Sequence, residues 1–402
     1  MTRALRTARN GAVLTFVLAG LMCGTFTVRL PALAERLHLP ESAVGVALLA
    51  WGVGALLSMQ AMRVIMAKAG SRAVLRIAAP LCAVSLAFVA LAPTFPLMVL
   101  ATAVFGMTFG AVDVAMNAQG SAVEQAYGHS LMSGMHAGWC VGAISAGLVG
   151  TVAIVADLSL TAHLTVIALI SLPVVAVLGR TYVPDPVAEP EHGPGHSRKR
   201  LPGVIYLLGA ITFGAFMIEG IVADWNGLYL LDTLGAPEAV AALGYPAFEL
   251  GMLLGRLSGD RLRGKYGARG LILFSGGATA ATFLLVVAAP SALTAVGAMI
   301  FVGLAVATIS PMALSLAGTA TANPGPAIAQ AGAMGYAGLL LGPVVIGGLS
   351  SLTSLRTAMA TAVVLGVFVA GAARFLPKPL PVDVESETLL ELEELEELPL
   401  AA

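Results

Sequence analysis

The sequence predicts an all-α membrane protein of twelve transmembrane helices arranged as two parallel six-helix repeats. Three observations predict it: twelve apolar runs of bilayer-crossing length, a lopsided distribution of Lys and Arg, and a second half that aligns with the first without a gap. Composition agrees. Only 11% of the 402 residues are charged and 58% are hydrophobic, whereas a soluble domain carries roughly 25% charged residues. So few charges do not cover a water-exposed surface of this size, and most of the surface must face lipid. The net charge of −1 and the dispersed basic residues give no electrostatic footprint for nucleic acid.

Runs of about 20 residues match the hydrocarbon thickness. They lie at 11–33, 42–66, 72–92, 96–118, 131–155, 160–179, 203–230, 239–262, 269–289, 291–318, 327–350 and 355–376. The first follows Arg3, Arg6 and Arg9, and Ala32-Leu33-Ala34 imitates a signal-peptidase site. Its length, with Arg29 near its end, favours a retained helix over a cleaved leader. Ala92-Pro93-Thr94 and Ala289-Pro290-Ser291 read as tight turns between antiparallel helices. The one long polar connection, 181–201, carries four prolines and Arg198-Lys199-Arg200. It separates a bundle at 1–180 from a bundle at 202–376, with an acidic tail at 377–402.

Orientation follows from Lys and Arg, which resist translocation. With a cytoplasmic N-terminus, eighteen of the 21 fall at inner helix ends, Arg256 among them, and only Arg29, Arg36 and Arg356 fall outside. A missed or extra span would scramble that split. The expectation is a bacterial-type inner-membrane protein with both termini in the cytoplasm.

A shift of 197 residues superposes the halves. Thr15-Phe16 meets Thr212-Phe213, Pro40-Glu41 meets Pro237-Glu238, and Gly54 meets Gly251. Lys68-x-Gly70-x-Arg72 meets Lys265-x-Gly267-x-Arg269, Ala92-Pro93 meets Ala289-Pro290, and Gly138-Trp139 meets Gly335-Tyr336. An apolar background produces chance Ala and Leu matches, but not these strings in step at one offset.

Several chemistries are disfavoured. Cys23, Cys82 and Cys140 sit in separate apolar runs and read as free thiols, and the six histidines have no metal-ligand spacing, so no metal or cofactor is expected. No nucleotide-binding loop occurs, which leaves an ion or substrate gradient as the energy source. A potential of 100 mV supplies about 2.3 kcal/mol per charge moved. With no nucleophile–base or metal cluster at one membrane face, an enzyme is not indicated. Leucines interleaved with glutamates at 389–398 read as a solvated, partly helical tail, or as a helix that docks a protein partner.

Local strings resemble the major facilitator superfamily, and within it the fucose-permease-like branch and related uncharacterised inner-membrane permeases. They are Arg29-Leu30-Pro31-Ala32-Leu33, the run from Gly110 to Asn117 containing Asp113, and His136-Ala137-Gly138-Trp139. Glu219-Gly220 with Asp224-Trp225, and Gly335-Tyr336-Ala337-Gly338 with Gly342-Pro343, complete the set. The likeness spans about residues 10–376. It implies a twelve-helix carrier whose helices one, four, seven and ten line a central cavity. The superfamily's loop motif, Gly-x-x-x-Asp-Arg-x-Gly-Arg-Arg, is only partly kept at 63–72, where Ala67 takes the acidic place and Lys68 the basic one. Helix four lacks the arginine found in many drug–proton antiporters, which weakens a drug-antiport reading.

Ionisable groups within a membrane are costly unless paired or hydrated, so each is a candidate site residue. Asp113, Glu219 and Glu249 are the candidates for proton coupling. A carboxylate at the depth of Asp113 suits a group that takes up and releases protons, though a permanently paired structural aspartate fits the same position. Glu249 serves equally as a second proton site or a gate salt bridge. Candidate substrate contacts are Arg29, Asn117, His136, Trp139, Asp224, Asn226 and Tyr336. Asn117 lies one turn from Asp113 and either bonds substrate or caps the helix end. Glu219 and Asp224 point about 140° apart on one helix and do not share a site. Arg29, the repeat mate of Asn226, pairs with Asp224 or attracts an anion, with pairing favoured. His136 carries the chemistry to titrate near neutral pH, and a hydrogen-bonded structural histidine is the plainer reading. Trp139 and Tyr336 form aromatic walls for a sugar-like solute, or pack helices together. Lys68, Gly70, Arg72, Asp260, Arg261, Lys265, Gly267 and Arg269 form a candidate cytoplasmic gate that latches the outward-open state, with plain topology setting as the alternative.

The sequence reads as a secondary active transporter, proton-coupled, moving a small polar solute by alternating access. An exporter of a small metabolite or drug, and a non-transporting sensor on the same scaffold, are the alternatives.

Overall fold

A computed structural model describes residues 3–128, 131–184, 201–321 and 324–377, apart from the side chains of 63, 133, 260 and 324–326. The residues at 185–200 that make up most of the polar connection, the tail with its proposed partner-docking helix, and the Asp260 side chain lie outside that description. The described residues form twelve long helices and no strand. They are α1 (Arg3–Arg36), α2 (41–69), α3 (71–91), α4 (Phe95–Tyr127), α5 (Met132–Val155) and α6 (Leu160–Leu178). The second set is α7 (Gly203–Thr233), α8 (244–266), α9 (268–287), α10 (Ala292–Thr319), α11 (Pro324–Leu352) and α12 (Leu355–Ala373). Helix α4 runs nine residues past the sequence-based boundary at 118 and stops at Gly128, whose φ of 73° forms a left-handed cap.

Repeat-related glycines hold the halves in equivalent shapes. A Cβ on Gly106 would strike the carbonyl oxygen of Trp51, and one on Gly303 would strike that of Phe248, the residue 197 positions later. Gly54 meets Ala103 and Gly251 meets Ile300 in the same way. Without side chains these residues let α2 approach α4, and α8 approach α10, backbone to backbone. Gly70 (φ 76°, ψ 159°) and Gly267 (φ 69°, ψ 158°) adopt a positive-φ, extended-ψ conformation between α2 and α3 and between α8 and α9, a region open essentially to glycine alone.

Two breaks position side chains, one near a helix end and one beside Glu219. Pro31 follows Arg29 and cannot donate to the helical ladder, so α1 turns at Arg29. Pro311 breaks α10 at Ala307 and Thr308, and Ser310 follows the break. The last turn of α7, Tyr229–Thr233, is a π-helix, a feature frequent at functional sites. Tyr229 Oη donates to the carbonyls of Val286 and Val287, and Arg356 also reaches Val287. In the first half Arg36 serves Ala90, the repeat mate of Val287. A lipid-facing surface surrounds this framework, with Leu57, Val152, Phe274 and Val364 among its largely exposed apolar side chains.

The halves meet along α2 with α11 and α5 with α8. Gly45 approaches the Pro343 carbonyl, Gly52 the Leu340 side chain, and Gly147 the ring of Pro246. Near the helix ends that carry Arg29 and Glu238, Gly227 lies against Pro31 and Gly347 against the Glu41 carbonyl and Trp225. These contacts close that end of the interface.

Candidate functional site

Asp113 on α4 reaches the centre, half-buried, and meets the other half there: Tyr336 Oη on α11 donates to its Oδ2 at 3.4 Å. Asn117 donates to the Asp113 carbonyl at 2.9 Å and to Oδ1 at 3.3 Å. Because α4 continues to Tyr127, Asn117 caps no helix end; it orients the carboxylate. In the second half Ser310 on α10 donates to Glu219 Oε1 on α7 at 3.5 Å. Ser310 is the repeat mate of Asp113 at the 197-residue offset, so the two acids flank equivalent positions on α4 and α10.

Arg256 is the residue that sequence reasoning misplaced. Counted there among the inner helix-end charges, it lies within α8, where NH1 donates to Cys140 Sγ on α5 at 3.5 Å. Glu219, Glu249 and Tyr245 interact with it electrostatically, and His136 feels its charge. No carboxylate lies within 4 Å of it among the described residues. The signal was available: Arg256 follows Glu249 by seven residues, which puts both on one face of α8. Glu249 is 5% exposed, and its Oε2 has no hydrogen-bond partner among the described residues.

Aromatic rings border these groups. Trp51, Phe109 and Trp139 form a chain with centroid spacings of 5.7 Å at each step. Tyr336 meets Phe216 edge-on at 5.6 Å, and His136 meets Phe16 edge-on at 5.1 Å. Phe109 lies one turn before Asp113, so the aromatic chain adjoins the carboxylate. The arrangement offers flat apolar faces beside paired hydrogen-bonding acids, which suits a small solute with both kinds of surface.

Comparison with known proteins fixes the family. The chain matches the Major Facilitator Superfamily over residues 12–325. The chain belongs to the major facilitator superfamily. An uncharacterised transporter of Sinorhizobium fredii is 32% identical over 93% of this chain and 99% of its own. An uncharacterised superfamily transporter of Yersinia pestis is 32% identical over 90% of this chain and 94% of its own. The membrane protein MosC of Rhizobium meliloti is 29% identical over 90% and 88%, respectively. Among solved structures, a D-xylose–proton symporter superposes with a TM-score of 0.74 at 19% identity, over 93% of this chain and 98% of that one. The nucleoside transporter NupG gives 0.69 at 17%, over 94% and 100%. At these identities the structural likeness establishes the fold alone. The family and the first two relatives are transporters, so this superfamily member is not an enzyme.

Several sequence-based assignments need correction on this superfamily scaffold. Arg29 does not pair with Asp224. Its NH1 lies 3.6 Å from Glu238 Oε1, just ahead of α8, and NH2 reaches the Leu158 carbonyl at 3.5 Å. The helix breaks at Arg29, ahead of Pro31, and its side chain finds its partners on Glu238 and Leu158. Asn226 is fully buried against Gly244, and its amide has no partner among the described residues, so it does not line the cavity in this conformation. Asp224 is half-buried, carries no hydrogen bond among the described residues, and interacts with Cys23 on α1.

The gate assignments fare unevenly. Gly70 and Gly267 act as positive-φ breaks. Arg269 does not reach across the halves: Nε donates to the Ala373 carbonyl and NH2 to that of Arg374, pinning α9 to its own α12. Lys265 stacks over its neighbour Tyr266 at 5.1 Å. Lys68 and Arg261 are exposed, and Arg72 Nε is buried without a hydrogen-bond partner among the described residues.

Proposed function

We propose that this superfamily member is a proton-coupled secondary transporter, which moves a small polar solute through a cavity between its halves by alternating access. One observation carries the reading: Asp113 of the first half and Tyr336 of the second share a hydrogen bond at the centre of the interface. An acid whose partner sits on the opposite half changes its surroundings whenever the halves rock. Its protonation therefore biases the two facing states differently, which is the thermodynamic requirement for coupling. Glu219, held by Ser310 and in electrostatic contact with Arg256, supplies a second acid on the opposite side. Trp139, Phe109, Tyr336 and Phe216 provide walls for the solute.

The Lys and Arg distribution supports cytoplasmic termini in a bacterial inner membrane, so the end closed by Arg29 and Glu238 faces outward. Uptake into proteoliposomes under an imposed pH gradient tests the reading, using a panel of sugars, organic acids and antibiotics first screened by thermal stabilisation. Asp113→Asn and Glu219→Gln are expected to abolish gradient-driven accumulation. Intact gradient-driven accumulation in both variants refutes the coupling.

A further inference from the structure

A groove lies on the outer wall of the first half, away from Asp113 and Glu219. Near the helix ends that carry most of the arginines, α3 and α6 part around a groove of about 270 Å³. Its floor is apolar, formed by Pro80, Leu172, Val175 and Ala176, and its rim carries Arg76 and Arg180 beside Gly179. Two prolines account for the gap. Pro80 lies inside α3 and Pro173 inside α6, and each deletes a helical hydrogen bond and bends its helix.

The groove opens to the hydrocarbon and not to the substrate cavity. Ile77 and Leu81 on α3, with Ile170 and Val177 on α6, are 51–64% exposed around it. Among the described residues no carboxylate neutralises its rim. Arg76 Nε donates to the Gly179 carbonyl at 2.8 Å, which fixes the guanidinium over the groove. Neither Arg76 nor the exposed Arg180 has a carboxylate within 4 Å among the described residues. Arginines that only set topology need no groove beneath them, and a carbonyl cap on α6 needs only one. Two guanidiniums at the headgroup level above an apolar trough match one ligand, a phosphodiester joined to an acyl chain.

We propose that this groove binds an anionic phospholipid of the leaflet at that end of the bundle. The phosphodiester sits between Arg76 and Arg180, and one acyl chain fills the trough between the bent helices. A net-neutral headgroup returns less of the arginine attraction, so the site discriminates by charge. The bound lipid bridges α3 and α6 on the lipid-facing side of the bundle. This site does not depend on the transport reading.

Native mass spectrometry of the purified, delipidated full chain tests it, with phosphatidylglycerol and phosphatidylcholine of identical chains as probes. The wild type is expected to bind phosphatidylglycerol preferentially. Each arginine near an anionic phosphate contributes about fivefold, so Arg76→Gln with Arg180→Gln should weaken phosphatidylglycerol binding roughly 25-fold. The double Lys variant should keep most of the preference. Ala176→Trp, which fills the trough and leaves both charges, should also weaken binding and guards against misfolding of the double Gln variant. Equal affinity for the two lipids in the wild type, or an unchanged preference in the double Gln variant, overturns the proposal. So does competition by millimolar inorganic phosphate with no effect of Ala176→Trp, which would make this a bare anion site.

Discussion

Replacing Glu238 with Gln tests whether its pairing with Arg29 holds the outer end shut. The arginine side chain is 5% exposed, the glutamate side chain 34% exposed, and the pair is 3.6 Å apart. Removing one partner of a buried pair costs about 3–5 kcal/mol, whereas an exposed pair contributes about 1 kcal/mol or less. A carboxylate one-third exposed falls between these, and discounting for solvent screening leaves about 1.5 kcal/mol. Arg29 has no good substitute partner, since Nε has no acceptor and NH2 meets the Leu158 carbonyl only at 3.5 Å. The cost falls on the closed state alone, because opening hydrates the guanidinium. About 1.5 kcal/mol is roughly a tenfold shift toward the outward-open state. Double electron–electron resonance between spin labels at Asp157→Cys, in the turn after α5, and Ser351→Cys, exposed in the last turn of α11, reads the distance between the halves in a cysteine-free background. Glu238→Gln should raise the long-distance population relative to the short one about tenfold. An unchanged distribution would mean that the packing of Gly227 on Pro31 and Gly347 on Glu41 closes this end without help from the charges.

Two further perturbations probe the scaffold and the centre. Gly106→Ala and Gly303→Ala each push a methyl group into a neighbouring helix's carbonyl oxygen. Each should destabilise by about 1–3 kcal/mol and lower the melting temperature in detergent, whereas Gly277→Ala, with nothing within 4 Å of its added carbon, should not. Arg256→Gln removes the cation that Glu219 and Glu249 share. It should cut gradient-driven uptake at least tenfold while the protein elutes and melts like the wild type, and Arg256→Lys should restore part of the loss.

Much of the architecture was legible because membranes simplify the problem. Hydrocarbon forces every backbone polar group into a helix, so apolar length and Lys/Arg placement reveal the spans. The site was legible only in part, and the reason is geometric. Asp113 and Glu219 stood out as isolated charges in apolar runs. Arg256 did not, because it lies close to the basic residues at the end of α8 and only the helical register separates it from them. Arg29 acquired the wrong partner for a similar reason. Asp224 was the plausible acid by depth in the membrane, but at the break ahead of Pro31 the side chain pairs with Glu238, a residue that sequence reading assigns to a helix start. Of the two readings of Asn117 the helix cap falls, because α4 runs on to Tyr127 and hydropathy does not register that polar extension.

The repeat offset separates what shapes the protein from what acts in it. Where backbones touch, the halves agree: Gly54 with Gly251, Gly106 with Gly303, and Gly70 with Gly267. The loop charges Lys68 and Arg72 are repeated as Lys265 and Arg269, but the charges around the candidate site are not. At the 197-residue offset Asp113 faces Ser310, Glu219 faces Met22, Glu249 faces Gly52, Arg256 faces Met59, and His136 faces Ala333. A duplicated bundle that kept the same charges in both halves would set like charges in equivalent positions around one cavity, and each would disfavour the other. Dividing them puts Asp113 on one half, bonded across the interface to Tyr336, and Glu219, Glu249 and Arg256 together on the other, so a relative rotation of the halves would change the surroundings of Asp113 while leaving Glu219 with Ser310. The symmetric contacts allow both facing states to be packed comparably well. On the proposed transport reading, the asymmetric charges are where a proton or a solute would bias one facing state over the other.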